Sequence, residues 1–296
     1  MSSTADTAGP SPFTPCLNPA TLTGLGLEEF LRVAAGAGFT EVEVPIQQVT
    51  AYGPERARDL LRALGLRAAA ASGILPAGPV MPHPVLTSDA VYAGAREGLA
   101  SRLAAFQVIG CPVATIVLNP RAPGDPRAAR ATAVARIGDL AAACADHGIT
   151  LAVEAVSVRQ GLPAGLDGPA TVAATLPQLR DLLQPAAGVT ACVDSFHWAA
   201  AGSDPRHLDG LPVGHVQIAD APPAVPAGEW ADAMRLFPGD GTLDWAVLGS
   251  ALRAAGYHGA VSVELFNPQL RALPEADIAR RALDAARCCW LKEARR

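Results

Sequence analysis

The stretch C-V-D-S-F-H-W-A-A-A-G, Cys192 to Gly202, closes an apolar run, A-A-G-V-T-A-C-V, that reads as a buried strand. Asp194 ends that strand, and His197 follows three positions later. Two other apolar runs end the same way: I-T-L-A-V reaches Glu154 and G-A-V-S-V reaches Glu264. A fourth run, P-V-G-H-V-Q-I-A-D, carries Gln217. Acidic groups at the ends of buried strands are costly unless something compensates them. A divalent metal is the simplest compensation. In a barrel of parallel strands these ends share one face, where active sites lie.

Working outward, strand-like and helix-like segments alternate along the chain. S-P-F-T-P-C-L-N is the first strand, ending at Asn18, and a helix from Leu27 to a C-capping Gly38 follows. T-E-V-E-V-P from Thr40 is the second strand, with Glu41 and Glu43 on one face. A helix with Pro54 in its first turn comes next, then a third strand from Leu66. The Pro-rich P-A-G-P-V-M-P-H-P segment from Pro76 is a loop, and one helix is expected from Ser88 to Gly110. Strand four starts near Pro112, helix four spans Asp125 to Gly148, and strand five ends at Glu154. Helix five precedes the strand that ends at Asp194, and a short helix six begins at Asp204. Strand seven spans Val213–Ala219, helix seven roughly Asp244–Ala255, and helix eight starts at Pro274. Eight strand–helix units predict an α/β fold, a (β/α)8 barrel. No G-x-G-x-x-G follows the first strand, which disfavours a dinucleotide-binding sheet. The expected organisation is a flexible N-terminal lead, residues 1–11, and one barrel domain, residues 12–296.

Half of the 296 residues are hydrophobic and 17% are charged, enough for a large core. A formal charge of -5 and the absence of a basic run argue against nucleic acid and anionic membranes as partners. The long uncharged runs are broken by Pro, Gly or polar residues, so none reads as a membrane span. The N-terminus lacks the features of a secretory signal. None of the six cysteines forms a C-x-x-C pair, and they read as reduced core residues of a cytoplasmic protein.

Glu154, Asp194, Gln217 and Glu264 are the candidate metal ligands, from four consecutive strands. Three carboxylates and an amide oxygen suit Mg²⁺ or Mn²⁺, with Co²⁺ as a third candidate. His215 shares a face with Gln217 but lies lower on the strand, and is assigned a packed or supporting role. Asp220 is expected to cap the following loop. His197 and Arg235 are assigned to the substrate, Arg235 clamping it from above, and Trp198 to the pocket wall. Glu43 is a further candidate to line the pocket, with a structural ion pair as its other reading. His83, His147, His207 and His258 are expected at the surface or at helix ends. A metal that chelates a carbonyl and the adjacent hydroxyl acidifies the neighbouring C–H and stabilises an enediolate. Glu154 and Glu264 then serve as general base and acid. Epimerisation, aldose–ketose isomerisation and elimination all follow from that intermediate.

L-A-V-E at Glu154, C-V-D-S-F-H, G-H-V-Q-I-A-D, R-L-F-P-G-D-G from Arg235 and V-S-V-E at Glu264 together resemble the xylose isomerase-like barrel superfamily of sugar isomerases and epimerases. The H-V-Q-I-A-D form is most similar to the hydroxypyruvate isomerase-like branch. The resemblance implies that Glu154, Asp194, Gln217 and Glu264 bind a divalent metal, that the two glutamates carry protons, and that His197 and Arg235 contact substrate. It implies a small carbohydrate-like substrate. A homodimer is compatible with it, since some members pair through barrel helices. The superfamily also holds dehydratases and lyases, which make elimination from a keto-sugar or cyclitol the alternative activity. A non-catalytic sugar-binding barrel is the third reading. The 3-dehydroshikimate dehydratase branch commonly carries His two residues after the first metal-binding Glu, where this chain has Val156. The His-rich cluster and basic groove of the superfamily's endonuclease branch are missing.

Overall fold

A computed structural model describes residues 13–76, 81, 83–166, 171–184 and 186–290. The expected N-terminal lead and most of the Pro-rich loop lie outside them. Eight strands form a closed, all-parallel barrel in sequence order. They are β1 (Thr14–Leu17), β2 (Glu41–Pro45), β3 (Arg67–Ser72), β4 (Val113–Leu118), β5 (Thr150–Ala155), β6 (Val189–Asp194), β7 (Val213–Ile218) and β8 (Ala260–Val263). Closure comes from β8 pairing with β1, Leu17 opposite Val263.

The crossovers hold α1 (Leu27–Ala37), α2 (Ile46–Tyr52), α3 (Pro54–Ala63), α4 (Asp89–Arg96), α5 (Leu99–Ile109), α6 (Pro126–Ala145), α7 (Leu176–Leu183), α8 (Ser195–Ala200) and α9 (Trp245–Ala254), and α10 (Glu275–Cys288) follows β8. Local chemistry sets their ends. Asp125 caps α6 by accepting from Arg127 N and Ala128 N. Gly38 ends α1 in the left-handed region at φ 97°.

Three expectations are corrected. The single helix from Ser88 to Gly110 is two helices, because Gly98 takes φ 70° and turns the chain between α4 and α5. Ser88 does cap α4 through Val91 N. Helix six is only a 3₁₀ turn, Pro205–Leu208, and α8 precedes it directly after β6. Residues 46–52, left without a helix by the sequence, form α2.

Apolar residues fill the space between strands and helices. Phe13, at the end where the strands begin, packs on Tyr257 and on Trp290, the latter at 4.7 Å, and Trp290 meets the edge of Trp245 at the start of α9. All six cysteines are unpaired, five of them buried. Among the described residues no helix is long and apolar enough to cross a membrane.

Candidate metal and acid–base centre

Polar residues collect at the other end of the barrel. Register sets their heights: Glu154 lies opposite Cys192, and Asp194 opposite Gln217. Registered partners in parallel strands point to one side of the sheet. Hydrogen bonds between strands that are not neighbours show that this side is the interior. Asn18, just past β1, donates through Nδ2 to Glu43 Oε1 and to Glu264 Oε1, both at 3.0 Å. Gln217 Nε2 donates to Glu264 Oε1 at 3.1 Å and to Glu43 Oε1 at 3.4 Å. His215 Nε2 lies 2.9 Å from Glu43 Oε1.

Asp194 ends β6 and also caps α8, its Oδ1 accepting from Phe196 N at 2.7 Å and His197 N at 3.2 Å. That dual use starts the helix with no intervening loop and brings His197 back over the barrel mouth. His197 Nε2 is 3.5 Å from Glu154 Oε1 and 3.3 Å from Arg235 Nη2. Its Nδ1 is buried without a partner among the described residues.

Arg235 lies inside this cluster. It is 1% exposed. Nη1 donates to Asp194 Oδ2 at 2.5 Å and to Glu264 Oε2 at 3.2 Å, and Nη2 donates to Asp232 Oδ1 at 2.7 Å. Phe196 and Phe266 flank the guanidinium, with Cζ 5.0 and 5.1 Å from their ring centroids. Asp220, on the same loop as Arg235, accepts from Ala221 N and Leu243 N through Oδ1 and from Gly239 N and Trp245 Nε1 through Oδ2. A pair of backbone hydrogen bonds ties Asp220 to Leu236 beside Arg235.

The electrostatics of this end are unbalanced. Glu43, Glu154, Asp194 and Glu264 are buried, Asp232 is partly exposed, and Arg235 is the guanidinium set among them. Burial pushes the Glu154 carboxyl well above its ordinary range, and Asp194 adds to that. Burial does the same to Glu264, opposed by Arg235 and reinforced by Glu154 and Asp194. Glu43 differs: burial pushes it up, but the His215 charge and hydrogen bond, with Ser262 and Asn18, hold it below the ordinary value. Burial lowers the His197 imidazole against the pull of Asp194 and Asp232.

A hard divalent cation fits this excess of buried carboxylates. Glu154, Asp194 and His197 offer ligand atoms all within 4.8 Å of one another. Glu264 faces the same guanidinium as Asp194. Gln217 now turns Nε2 to two carboxylates and Oε1 to Cys192 Sγ at 3.3 Å. A ligand role requires that carboxamide to turn end for end, an orientation that a cation between it and the carboxylates favours.

Two further residues stand apart from this set. Trp198 is buried, gives its indole N–H to the Asp204 carbonyl, and makes no hydrogen bond to the cluster among the described residues. His83 is buried at a helix end, one of the two placements expected of it, where its ring accepts from Val85 N at the start of the 3₁₀ helix Pro84–Leu86; its backbone N–H donates to Asn119 Oδ1 at 2.8 Å, and Asn119 Nδ2 donates back to the His83 carbonyl. The sequence missed Asn18, Asp232 and Phe266. Asn18 carried a usable signal, since it ends an apolar strand as the acidic residues do.

A family model described as "Xylose isomerase-like TIM barrel" matches residues 31–294. A 100-residue stretch is 40% identical to a 3-dehydroshikimate dehydratase of Pseudomonas putida, covering 32% of this chain and 15% of that protein. A 94-residue stretch is 34% identical to an inosose isomerase of Halalkalibacterium halodurans, covering 31% of this chain and 33% of that protein. The matches thus span a third or less of these curated relatives. The solved structure of a xylose isomerase domain protein from Alicyclobacillus acidocaldarius superposes with a TM-score of 0.80, covering 94% of this chain and 98% of that one. At 24% identity that likeness is one of fold.

Proposed function

The chain belongs to the xylose isomerase-like TIM barrel family, and from that premise we propose that it is a divalent-metal-dependent isomerase or epimerase of a small keto sugar or hydroxy-carbonyl compound. The observation that carries this reading is the convergence of Glu154, Asp194 and His197, whose ligand atoms lie within 4.8 Å of one another, with Glu264 reaching the same Arg235 guanidinium as Asp194. Carboxyls at such a centre are placed to take and return protons beside a bound cation.

Glu154, Asp194, Gln217 and Glu264 would hold the metal, with Mn²⁺ or Mg²⁺ favoured by the oxygen-rich set and Co²⁺ also accommodated. When bound it supplies a Lewis acid that polarises a substrate carbonyl and acidifies the adjacent C–H. One glutamate takes that proton and the other returns a proton to the same or the neighbouring carbon. The unpartnered Nδ1 of His197 supports a contact with a substrate oxygen. Arg235, locked between two phenyl rings, holds negative charge at a fixed point beside Asp194 and Glu264. The partner is a small carbohydrate-like molecule, and the acidic charge balance opposes nucleic acid. Unpaired cysteines support a cytoplasmic setting.

A dehydratase or lyase using the same proton abstraction is the second reading, favoured by the 40% identical stretch shared with 3-dehydroshikimate dehydratase. Val156, in place of the His common in that branch, weighs against it. The test is proton exchange in D₂O with Mn²⁺-loaded protein and ketoses, keto-cyclitols and hydroxypyruvate, followed by NMR. Deuterium beside a carbonyl with recovery of isomers supports the first reading. Loss of water from the substrate moves the assignment to the second. No exchange with any of them overturns the first.

A further inference from the structure

We propose that Glu43 is a positioning residue that acts on Glu264 through the carboxamide of Asn18. This rests on the metal-site reading above but concerns residues outside the proton-carrying pair. A carboxamide has two ends of nearly equal size, one donating and one accepting, so only its partners decide which way it faces. Asn18 is fixed at both ends: Oδ1 accepts from Ala20 N at 2.8 Å, and Nδ2 reaches Glu43 and Glu264 together. Gln217 Nε2 also reaches both carboxylates, a contact that it gives up on turning its oxygen to a cation. Glu43 Oε1 is therefore the second acceptor of the Asn18 N–H₂ group whose other acceptor is Glu264.

Glu43 is itself immobile. It is 1% exposed, and His215 donates to it from across the barrel. The consequence falls on Glu264. Its Oε1 takes two amide donors, while Oε2 is left facing Arg235 and the Asp194 side of the cluster. The two oxygens of one carboxylate are thus distinguished, and Oε2 is presented to the cation and substrate. Without Glu43, the Asn18 N–H₂ group loses one of its two carboxylate acceptors, and its hold on Glu264 Oε1 loosens. Groups that orient metal-binding carboxylates from behind commonly matter about 10–100-fold in metal affinity.

The experiment is a double-mutant cycle on Mn²⁺ affinity, read by electron paramagnetic resonance of free Mn²⁺, with Glu43→Gln, Asn18→Ala and the double variant. Glu43→Gln keeps the volume of the side chain, and Asn18→Ala removes no charge. The expected result is a loss of about 10–100-fold in each single variant, with the double variant no weaker than the worse single one. A loss in Glu43→Gln that adds in full to that of Asn18→Ala means that Glu43 acts only through its charge and overturns the proposal. Wild-type affinity in either single variant also overturns it. Circular dichroism of each variant separates a folded protein with a weakened site from an unfolded one. If Glu43→Gln does not fold, Asn18→Ala alone decides, since an uncharged truncation that leaves affinity intact sinks the idea. Wild-type protein that binds Mn²⁺ but exchanges no substrate proton overturns the isomerase reading and leaves this test intact. Wild-type protein that binds no Mn²⁺ overturns both.

Discussion

His215 Nε2 and Glu43 Oε1, 172 residues apart in sequence, lie 2.9 Å apart in the barrel interior. They come from β7 and β2, which do not pair with each other. Both side chains are about 2% exposed, so the contact is sealed from water. It ties two strands of the barrel wall that are separated by β1 and β8. Breaking one member of such a buried charged contact costs far more than breaking a surface pair.

The proposed acid–base pair, Glu154 and Glu264, gives the most direct prediction. Glu154→Gln and Glu264→Gln should each lower turnover by about 10²–10⁴-fold, the usual worth of a positioned proton carrier. Solvent-deuterium incorporation measured by NMR checks this. Wild-type exchange in either variant would remove that residue from the mechanism.

Arg235 should be a structural cation in metal-free protein as well as part of the site. Replacing it with Met leaves Asp194 and Glu264 buried without their shared donor. Urea unfolding of metal-free Arg235→Met is expected to show a loss of about 3–5 kcal/mol. Mn²⁺ at about 100 times its Kd should return about 2.7 kcal/mol. Equal stability of the variant and the parent in chelator would show that the cluster protonates without cost when the guanidinium is gone.

His83 sets a pH dependence on stability. Burial pushes its imidazole down from 6.5 to about 4. The folded protein therefore holds it neutral where the unfolded chain would protonate it. Its stabilisation is complete above pH 6.5 and is lost as the pH falls toward 4, amounting to about 3 kcal/mol over that window. Asn in its place keeps an acceptor for Val85 N and has no proton to gain. Denaturant curves at pH 7 and pH 4.5 should show wild type losing about 2 kcal/mol more than His83→Asn. Parallel losses in the two proteins would place His83 outside the pH response.

Asp220 should prove a hub for the Arg235 loop. Its two oxygens accept four N–H groups from that loop and from the start of α9. Asn in its place retains one acceptor oxygen and leaves two of those donors unmatched, each at about 1–3 kcal/mol. Asp220→Asn is expected to melt earlier, and the Leu236 amide, bonded to the Asp220 carbonyl, should exchange faster by hydrogen–deuterium measurement. Unchanged protection at Leu236 would argue that the loop is held by other contacts.

Local pattern carried a large part of this protein. The alternation of strand and helix, the strand-end positions of Glu154, Asp194 and Glu264, and the placing of Gln217 above His215 all follow from short-range periodicity, which any folded state must respect. Helix breaks were less legible, because Gly98 in an otherwise helical run and a strand end that doubles as a helix cap leave no gap in the apolar pattern.

What tertiary structure decided is which side chains share the small volume inside the barrel. Closure brings β1 beside β8, so Asn18 meets Glu264 from 246 residues away. It draws Arg235 inward, because several buried carboxylates leave no lower-energy place for a guanidinium on the adjoining loop. It also divides the acidic residues: Glu43 pairs with His215, Glu264 shares Arg235 with Asp194, and Glu154 is left with His197 at 3.5 Å. Sequence determines the type of each group and its height on a strand; charge balance is a property of neighbours, and neighbours exist only once the barrel is closed.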